Sequence, residues 1–355
     1  MIRAKIFQRY LLSSYIKNFF ILFLALEFFY LGIDLLQYFK KLPDSANLQI
    51  LYALYTFLNA INYTLPISII LAMIMTKFYL IRTNEIIALY ASGISKNQVI
   101  KPIFLASFFI TFIYIMLNFT NFTYSREYAH NILTHSSVSN SSKNLFLKYN
   151  NSYIYIQKLN PLKKSAEGIK IFDIKNGDLR AITDAKSANF LKDYWILNDV
   201  TVVYKPSLTL KNAKLKMKHI KHLKTLKEFK PKIIENIYDG KNSFSITDAF
   251  GAIKLFLSQN VNIQKIRASL FLMVLFPLFA PLLNLILFYY MPISNRFFDL
   301  AILSSFFVFV SLATWAVLFM LVKMSLNGVI LPEVGIALPI FLLSLFSIYL
   351  YIKNK

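Results

Sequence analysis

The chain has no cysteine, only four histidines and eight glycines, and charged residues make up just 16% of its 355 positions. Without cysteine there can be no disulfide framework and no thiolate metal or redox centre. The scarce histidines and glycines leave little material for a metal cluster or a phosphate loop. No G-x-x-x-x-G-K-[ST] occurs anywhere, so the chain does not carry its own P-loop ATPase. What is abundant is apolar: 57% of residues are hydrophobic, above the usual level for a soluble domain. They come in blocks, several longer than the roughly 18 residues that mark a transmembrane helix. The sequence is that of a polytopic membrane protein.

Six apolar spans are expected, in two groups of three, at about 16–39, 56–81, 102–122, 267–290, 298–322 and 331–352. Residues 2–15 mix Arg3, Lys5 and Arg9 with Ile2, Ile6 and Tyr10, and read as a short basic amphipathic helix on the membrane surface. The first span is too long for a signal-peptide core and ends in Lys40-Lys41 without a small-residue cleavage site, so it is expected to stay as an anchor. If the N-terminus is cytoplasmic, the inside segments carry Arg3, Lys5, Arg9, Arg82, Lys96, Lys101, Arg296, Lys353 and Lys355. The short outside loops carry only Lys40, Lys41 and Lys323. That asymmetry obeys the positive-inside rule. It places the stretch 82–101 in the cytoplasm and the long segment between the third and fourth spans outside it.

That segment, 123–266, is expected to be β structure. Strands around an Asn150-Asn151 turn and around Asn176-Gly177 read as hairpins. WILNDVTVVY, 195–204, alternates through Ile196, Val200, Val202 and Tyr204. Strands at such short spacing suggest a sandwich or jelly roll. Ser245 and Asp248 form an S-x-x-D box that opens a closing helix. The segment holds 24 Lys+Arg against 11 Asp+Glu, and so 13 of the chain's 22 net positive charges. Outside a membrane, an anionic lipid head group or a generally basic proteome fits that excess better than nucleic acid. The fold class is therefore α+β: residues 1–122 as spans one to three, 123–266 as a β-jelly-roll domain, 267–355 as spans four to six.

Between the second and third spans lies RTNEIIALYASGISKNQVIK, 82–101. Thr83 or Asn84 can cap a helix, and Glu85 then falls in its first turn, where a negative charge is favoured. Ile86, Leu89 and Tyr90 make one apolar stripe. Gly93 is a natural stop, and Ser95 with Gln98 forms a capping box that restarts a helix. A short capped helix, about 83–97, between two spans is how a transporter presents a handle to a partner.

This architecture resembles the LptF/LptG family of lipopolysaccharide-export permeases. RTNEIIALYASGIS is similar to the family's cytoplasmic coupling-helix signature. SYIYIQK, GIKIFDI, AITDAKSANF and YWILNDV follow the strand order of its periplasmic domain. The resemblance covers the whole chain, and DLLQYFKKLP looks more like the LptG branch than the LptF branch. It implies a non-catalytic half-permease in the bacterial inner membrane, with its large domain in the periplasm and no cofactor of its own. Such a chain pairs with its paralogue, takes energy from an LptB ATPase dimer, and passes lipopolysaccharide to LptC and a periplasmic bridge.

On that resemblance Glu85 is expected to meet a basic group of the ATPase, with Ile86, Leu89, Tyr90 and Gly93 shaping the contact. The alternative for Glu85 is a first-turn acid worth about 0.3–1 kcal/mol to its own helix. For the apolar three it is packing of the helix itself. Lys40 and Lys41 are expected to pair with lipopolysaccharide phosphates, joined by Arg126 and His130 and more weakly by Lys323. The plain alternative is a lysine snorkelling at a span end. Glu27 and Asp34 lie within the first span, where charge is costly and marks function by default; Asp34 would pair with a lysine or a divalent ion. Lys77 and Asp299 are expected to snorkel near the ends of their spans. Phe28, Phe29, Tyr30, Phe306, Phe307, Phe309 and Trp315 could line an acyl cavity, though most are expected to be ordinary packing. His219 and His222 form an H-x-x-H that lacks a third ligand and reads as a solvated basic strand rather than a metal site. The competing function is a membrane-bound lipid- or glycan-modifying enzyme using Glu27, Asp34 or the histidines, but it leaves the capped helix unexplained. A permease of another exporter class would lack the central β domain.

Overall fold

The computed structural model describes residues 2–354 except 139–140, 176–177, 206–214, 228, 239–243, 258–262 and 295–298. It divides into two compact units, Met1–Ala129 with Arg267–Lys355, and His130–Ile266. Six helical segments of the first unit are long and apolar enough to cross a membrane.

Helix α1, Ile2–Tyr38, is one continuous rod. The expected break between a surface helix and a first span is absent, because no proline and only Gly32 occurs within it. Its 37 residues extend about 55 Å, well beyond the roughly 30 Å hydrocarbon core. Helix α2, Ala46–Arg82, is equally long and runs through Pro66. Within its apolar window 78% of residues are buried inside the protein, against 11% for α1. Helix α2 is thus the centre of the bundle and α1 its periphery.

The short α3, Glu85–Ala91, leads into α4, Lys96–Leu117. Helix α4 stops five residues before the expected 122. The buried amide of Asn118 donates back to the Tyr114 carbonyl, and a 3-10 turn, Asn121–Tyr124, precedes α5, Ser125–His135.

The second unit is built on one six-stranded antiparallel sheet whose strands lie side by side in chain order. They are β1 Ser142–Tyr149, β2 Ser152–Asn160, β3 Ser165–Lys175, β4 Asp178–Leu191, β5 Tyr194–Tyr204 and β6 Lys216–Thr225. Among the described residues the β unit is this one continuous antiparallel sheet, where the sequence suggests a sandwich or jelly roll. Asn150, at φ +50°, turns the first hairpin. The Asn176-Gly177 turn lies outside the described residues, but Lys175 and Asp178 pair on either side of it. In β5 the buried residues are Trp195, Leu197, Val200 and Val202. Asp199, at φ +51° and unpaired with Lys186 and Lys221 across from it, shifts the alternation by one residue while the register of both ladders continues unchanged. Ile196, expected on the same face as Val200, is therefore on the opposite one. The Trp195 indole donates to the Phe229 carbonyl at 2.7 Å. Helices α6, Pro231–Tyr238, and α7, Ile246–Leu257, close the unit, with Ser245 accepting from the Asp248 amide as its box predicts.

The chain re-enters the bundle through α8, Gln264–Val274, and α9, Phe279–Tyr290, separated by a 3-10 turn around Pro277. Helix α10, Leu300–Leu326, starts at Asp299, whose carboxylate accepts from the Ala301 amide at 2.7 Å. Asp299 is thus a helix cap rather than a snorkelling charge. A π turn, Glu333–Ala337, opens the last span, α11, Leu338–Lys353.

Candidate functional site

The end of α2 shows how the sequence makes a projecting helix. Asn84, at φ +60°, turns the chain out of α2, and its carbonyl accepts the Ala88 amide at 3.2 Å. Its side chain makes no cap bond, so the expected side-chain N-cap is replaced by a backbone turn. At the other end Ile94 N–H bonds the Leu89 carbonyl and Gly93 N–H bonds the Tyr90 carbonyl, which is a Schellman stop. Gly93 sits at φ +82°, and a β-carbon there would have nothing within 4 Å, so backbone conformation rather than space demands glycine. The Ser95–Gln98 capping box is fully formed and starts α4.

The apolar stripe of α3 faces its own protein. Ile86 is completely buried, and Leu89, Tyr90 and Ile94 pack on the bundle core. Burial pushes the Tyr90 hydroxyl up to about 12, so it stays neutral at any physiological pH. The outward face is formed by Ile87, Ala88, Ala91 and Ser92. Glu85 is half-buried and accepts a 2.8 Å hydrogen bond from the Tyr10 hydroxyl of α1. That partner is not visible in sequence, where Tyr10 is one more aromatic of a surface helix.

Two further side chains tie the flanks of α3 to the second half of the bundle. Lys77, one turn and a half before α2 ends, is buried; its ammonium donates to the Phe288 carbonyl and, at 2.8 Å, to the Met291 carbonyl. It also lies 4.2 Å from the Phe288 ring centre. Lys77 is therefore an internal cap on the C-terminal end of α9, where a cation is favoured, and not a snorkelling lysine. Just after α3, the Asn97 amide donates to the Tyr351 carbonyl of α11 at 2.9 Å and accepts from the Tyr289 hydroxyl of α9. A lone lysine inside an apolar run, and one asparagine in the polar stretch Ser95–Gln98, are the sequence signals for this pair.

Helix α1 is stitched to α2 along its length by polar side chains. Asn18 donates to Thr76 at 2.9 Å, Glu27 accepts from Thr64, and Asp34 accepts from Tyr52. With Tyr10–Glu85 these rungs recur every seven to nine residues of α1, about two turns each. The described partner of Asp34 is thus a tyrosine rather than a lysine. The second carboxylate oxygen of Glu27 is buried without a partner among the described residues.

At the opposite end of the bundle, Lys40 and Lys41 are exposed in the 3-10 turn Phe39–Lys41, with Lys41 5.8 Å from the Tyr38 ring centre. Arg126, exposed on α5, lies within electrostatic reach of Lys323 on α10 and of Tyr30 on α1. His130 is exposed one turn further along α5, in the second unit. The structure thus groups Arg126 with Lys323, while no described contact draws Lys40 or Lys41 to them. Beneath Lys323, which lies 5.0 Å from the Phe319 ring centre, Tyr30 stacks on Tyr63, Tyr63 meets Phe319 edge-on, and Trp315 stacks on Phe319. Phe28, Phe29, Phe306 and Phe309 instead point outward, and Phe307 packs on Phe78.

Groups that could do acid–base chemistry stay apart. Glu27 and Asp34 each bond a separate hydroxyl, while His219 and His222 bond Thr201 and Asn198 across the sheet. Among the described residues no three His, Cys, Asp or Glu side chains come together as a metal site. A family model described as lipopolysaccharide export system permease LptF/LptG matches residues 9–353. No curated protein matches the chain.

Proposed function

The chain belongs to the LptF/LptG family of lipopolysaccharide export permeases, and from that premise we propose that it is one half of a two-permease unit driven by a separate ATPase. In this reading it sits in the bacterial inner membrane with residues 130–266 in the periplasm. It pairs with its paralogue, an LptB dimer supplies the energy, and lipopolysaccharide passes to LptC and the periplasmic bridge. Assignment to the LptG branch rests on DLLQYFKKLP alone, since the family match is common to both.

One observation carries the ATPase-driven reading: a short helix, stopped and restarted by its own backbone, projects between two spans at the basic end of the bundle. Its inner face is anchored by Ile86, Leu89 and Tyr90, which leaves Glu85, Ile87 and Ala91 to meet the partner. Lys77 and Asn97 then join both flanks of the helix to α9 and α11, so a push on α3 reaches the second group of spans. At the other end Arg126 and Lys323, with Lys40 and Lys41 in the chain's outer turns, supply cations for lipopolysaccharide phosphates.

Replacing Glu85 by lysine tests this directly. The expected outcome is a chain that inserts and folds normally but loses ATPase co-purification or ATP-driven lipid extraction by at least about tenfold, roughly 1.4 kcal/mol of coupling. Unchanged assembly and extraction in Glu85→Lys would sink the assignment of Glu85.

A further inference from the structure

Helices α1 and α4 cross the bundle in the same direction and leave between them a groove of about 600 Å3. Leu12 and Ile16 of α1 and Leu105 and Phe109 of α4 line its length, while Arg9 and Lys101 stand among the lining residues nearest the two helix starts. The lining runs from residue 8 to 16 on one helix and from 101 to 110 on the other, about 12 and 14 Å of rise. Both cations are exposed, and among the described residues neither has an ion-pair partner.

A slot that is doubly cationic at one end and apolar over the rest fits one kind of occupant. A free phosphate would satisfy the charges but leave the apolar walls wet. A neutral lipid would fill the walls but leave two like charges in one groove without a counter-ion. We propose that the groove between α1 and α4 binds an anionic glycerophospholipid, with its phosphate between Arg9 and Lys101 and an acyl chain along Leu12, Ile16, Leu105 and Phe109. Basic pockets between transmembrane helices hold anionic head groups in this way. The site is at the end of the bundle where α3 lies, away from Arg126 and Lys323, so its lipid is a resident and not the exported one. Arg9 precedes Tyr10, whose hydroxyl holds Glu85, so the lipid fixes the end of α1 that braces α3.

The proposal does not rest on the transport reading, because lipid binding is measured without partner or ATP. Native mass spectrometry of the full chain in neutral detergent is titrated with dioleoyl phosphatidylglycerol, dioleoyl phosphatidylcholine or inorganic phosphate. The expected result is one phosphatidylglycerol retained roughly thirtyfold more tightly than phosphatidylcholine, the weight of two Lys/Arg contacts with an anionic lipid, and no retained phosphate. The Arg9→Gln/Lys101→Gln pair should lower phosphatidylglycerol to the level of phosphatidylcholine. Leu105→Trp, at an exposed position that fills the groove without touching the charges, should weaken both lipids. Equal retention of the two lipids, undiminished phosphatidylglycerol binding in the double variant, or retention of inorganic phosphate alone would each overturn it. If the double variant is not recovered folded, each single substitution should weaken phosphatidylglycerol about fivefold, and no change in either is the overturning result.

Discussion

At the scale of single residues, the side chains that matter most are polar groups whose partners are backbone atoms far away in sequence. Lys77 is the clearest case. A buried ammonium is tolerable only when paired, and here the pairing is with two carbonyls at the end of α9 and with an aromatic face. Lys77→Met should therefore leave those carbonyls unmatched and cost about 1–3 kcal/mol. The check is the thermal midpoint in detergent, and an unchanged midpoint would remove Lys77 from its structural role. In sequence, Lys77 is one charge near the end of a span, where snorkelling is the ordinary outcome. Its partners lie more than 200 residues away, and no local pattern reports such a contact. The same holds for Tyr10 and Glu85, where the charge is legible and its tyrosine is not. Glu27 and Asp34 are legible as exceptional charges within a span, but their hydroxyl partners on α2 depend on how two helices pack.

At the scale of elements, backbone signals are legible wherever they are local. The glycine stop, the Ser95–Gln98 box and the Ser245 box all form as the residue types require. The stop at Gly93 has a measurable consequence. An L-residue in the left-handed region costs roughly 1–2 kcal/mol, so Gly93→Val should loosen the end of α3, while Gly93→Asn should be milder. Limited trypsin digestion at Arg82 and Lys96 reads this out. Faster cleavage is expected in Gly93→Val than in Gly93→Asn, and equal rates for both and for the wild type would show that α3 does not depend on its stop. Signals that consist of an absence are harder to read. The continuity of α1 follows from the lack of any breaker in residues 2–38, and the early end of α4 follows from one buried asparagine inside an apolar run. The left-handed Asp199 reverses the alternation of β5 without changing its register, and a period-two pattern cannot announce such a residue beforehand.

At the scale of the whole molecule, the chain combines six apolar spans, a basic β unit and no nucleotide-binding loop. The architecture is legible from apolar blocks and their spacing, because the bilayer sets the length of every span. Which face of each helix turns inward is not. The stripe of α3 that reads as a contact surface is the part that holds the helix to its own bundle, and the opposite face is the exposed one. On the ATPase-driven reading proposed above, Ile87, 39% exposed on that outer face, is the residue best placed for the contact. A photo-crosslinking amino acid at position 87 of the full chain in native membranes tests this most directly. The predicted result is a crosslink to a separate P-loop ATPase, with none from the control position Ile348 on α11. A chain that crosslinks to no ATPase at Ile87, yet exports lipopolysaccharide normally, would contradict it.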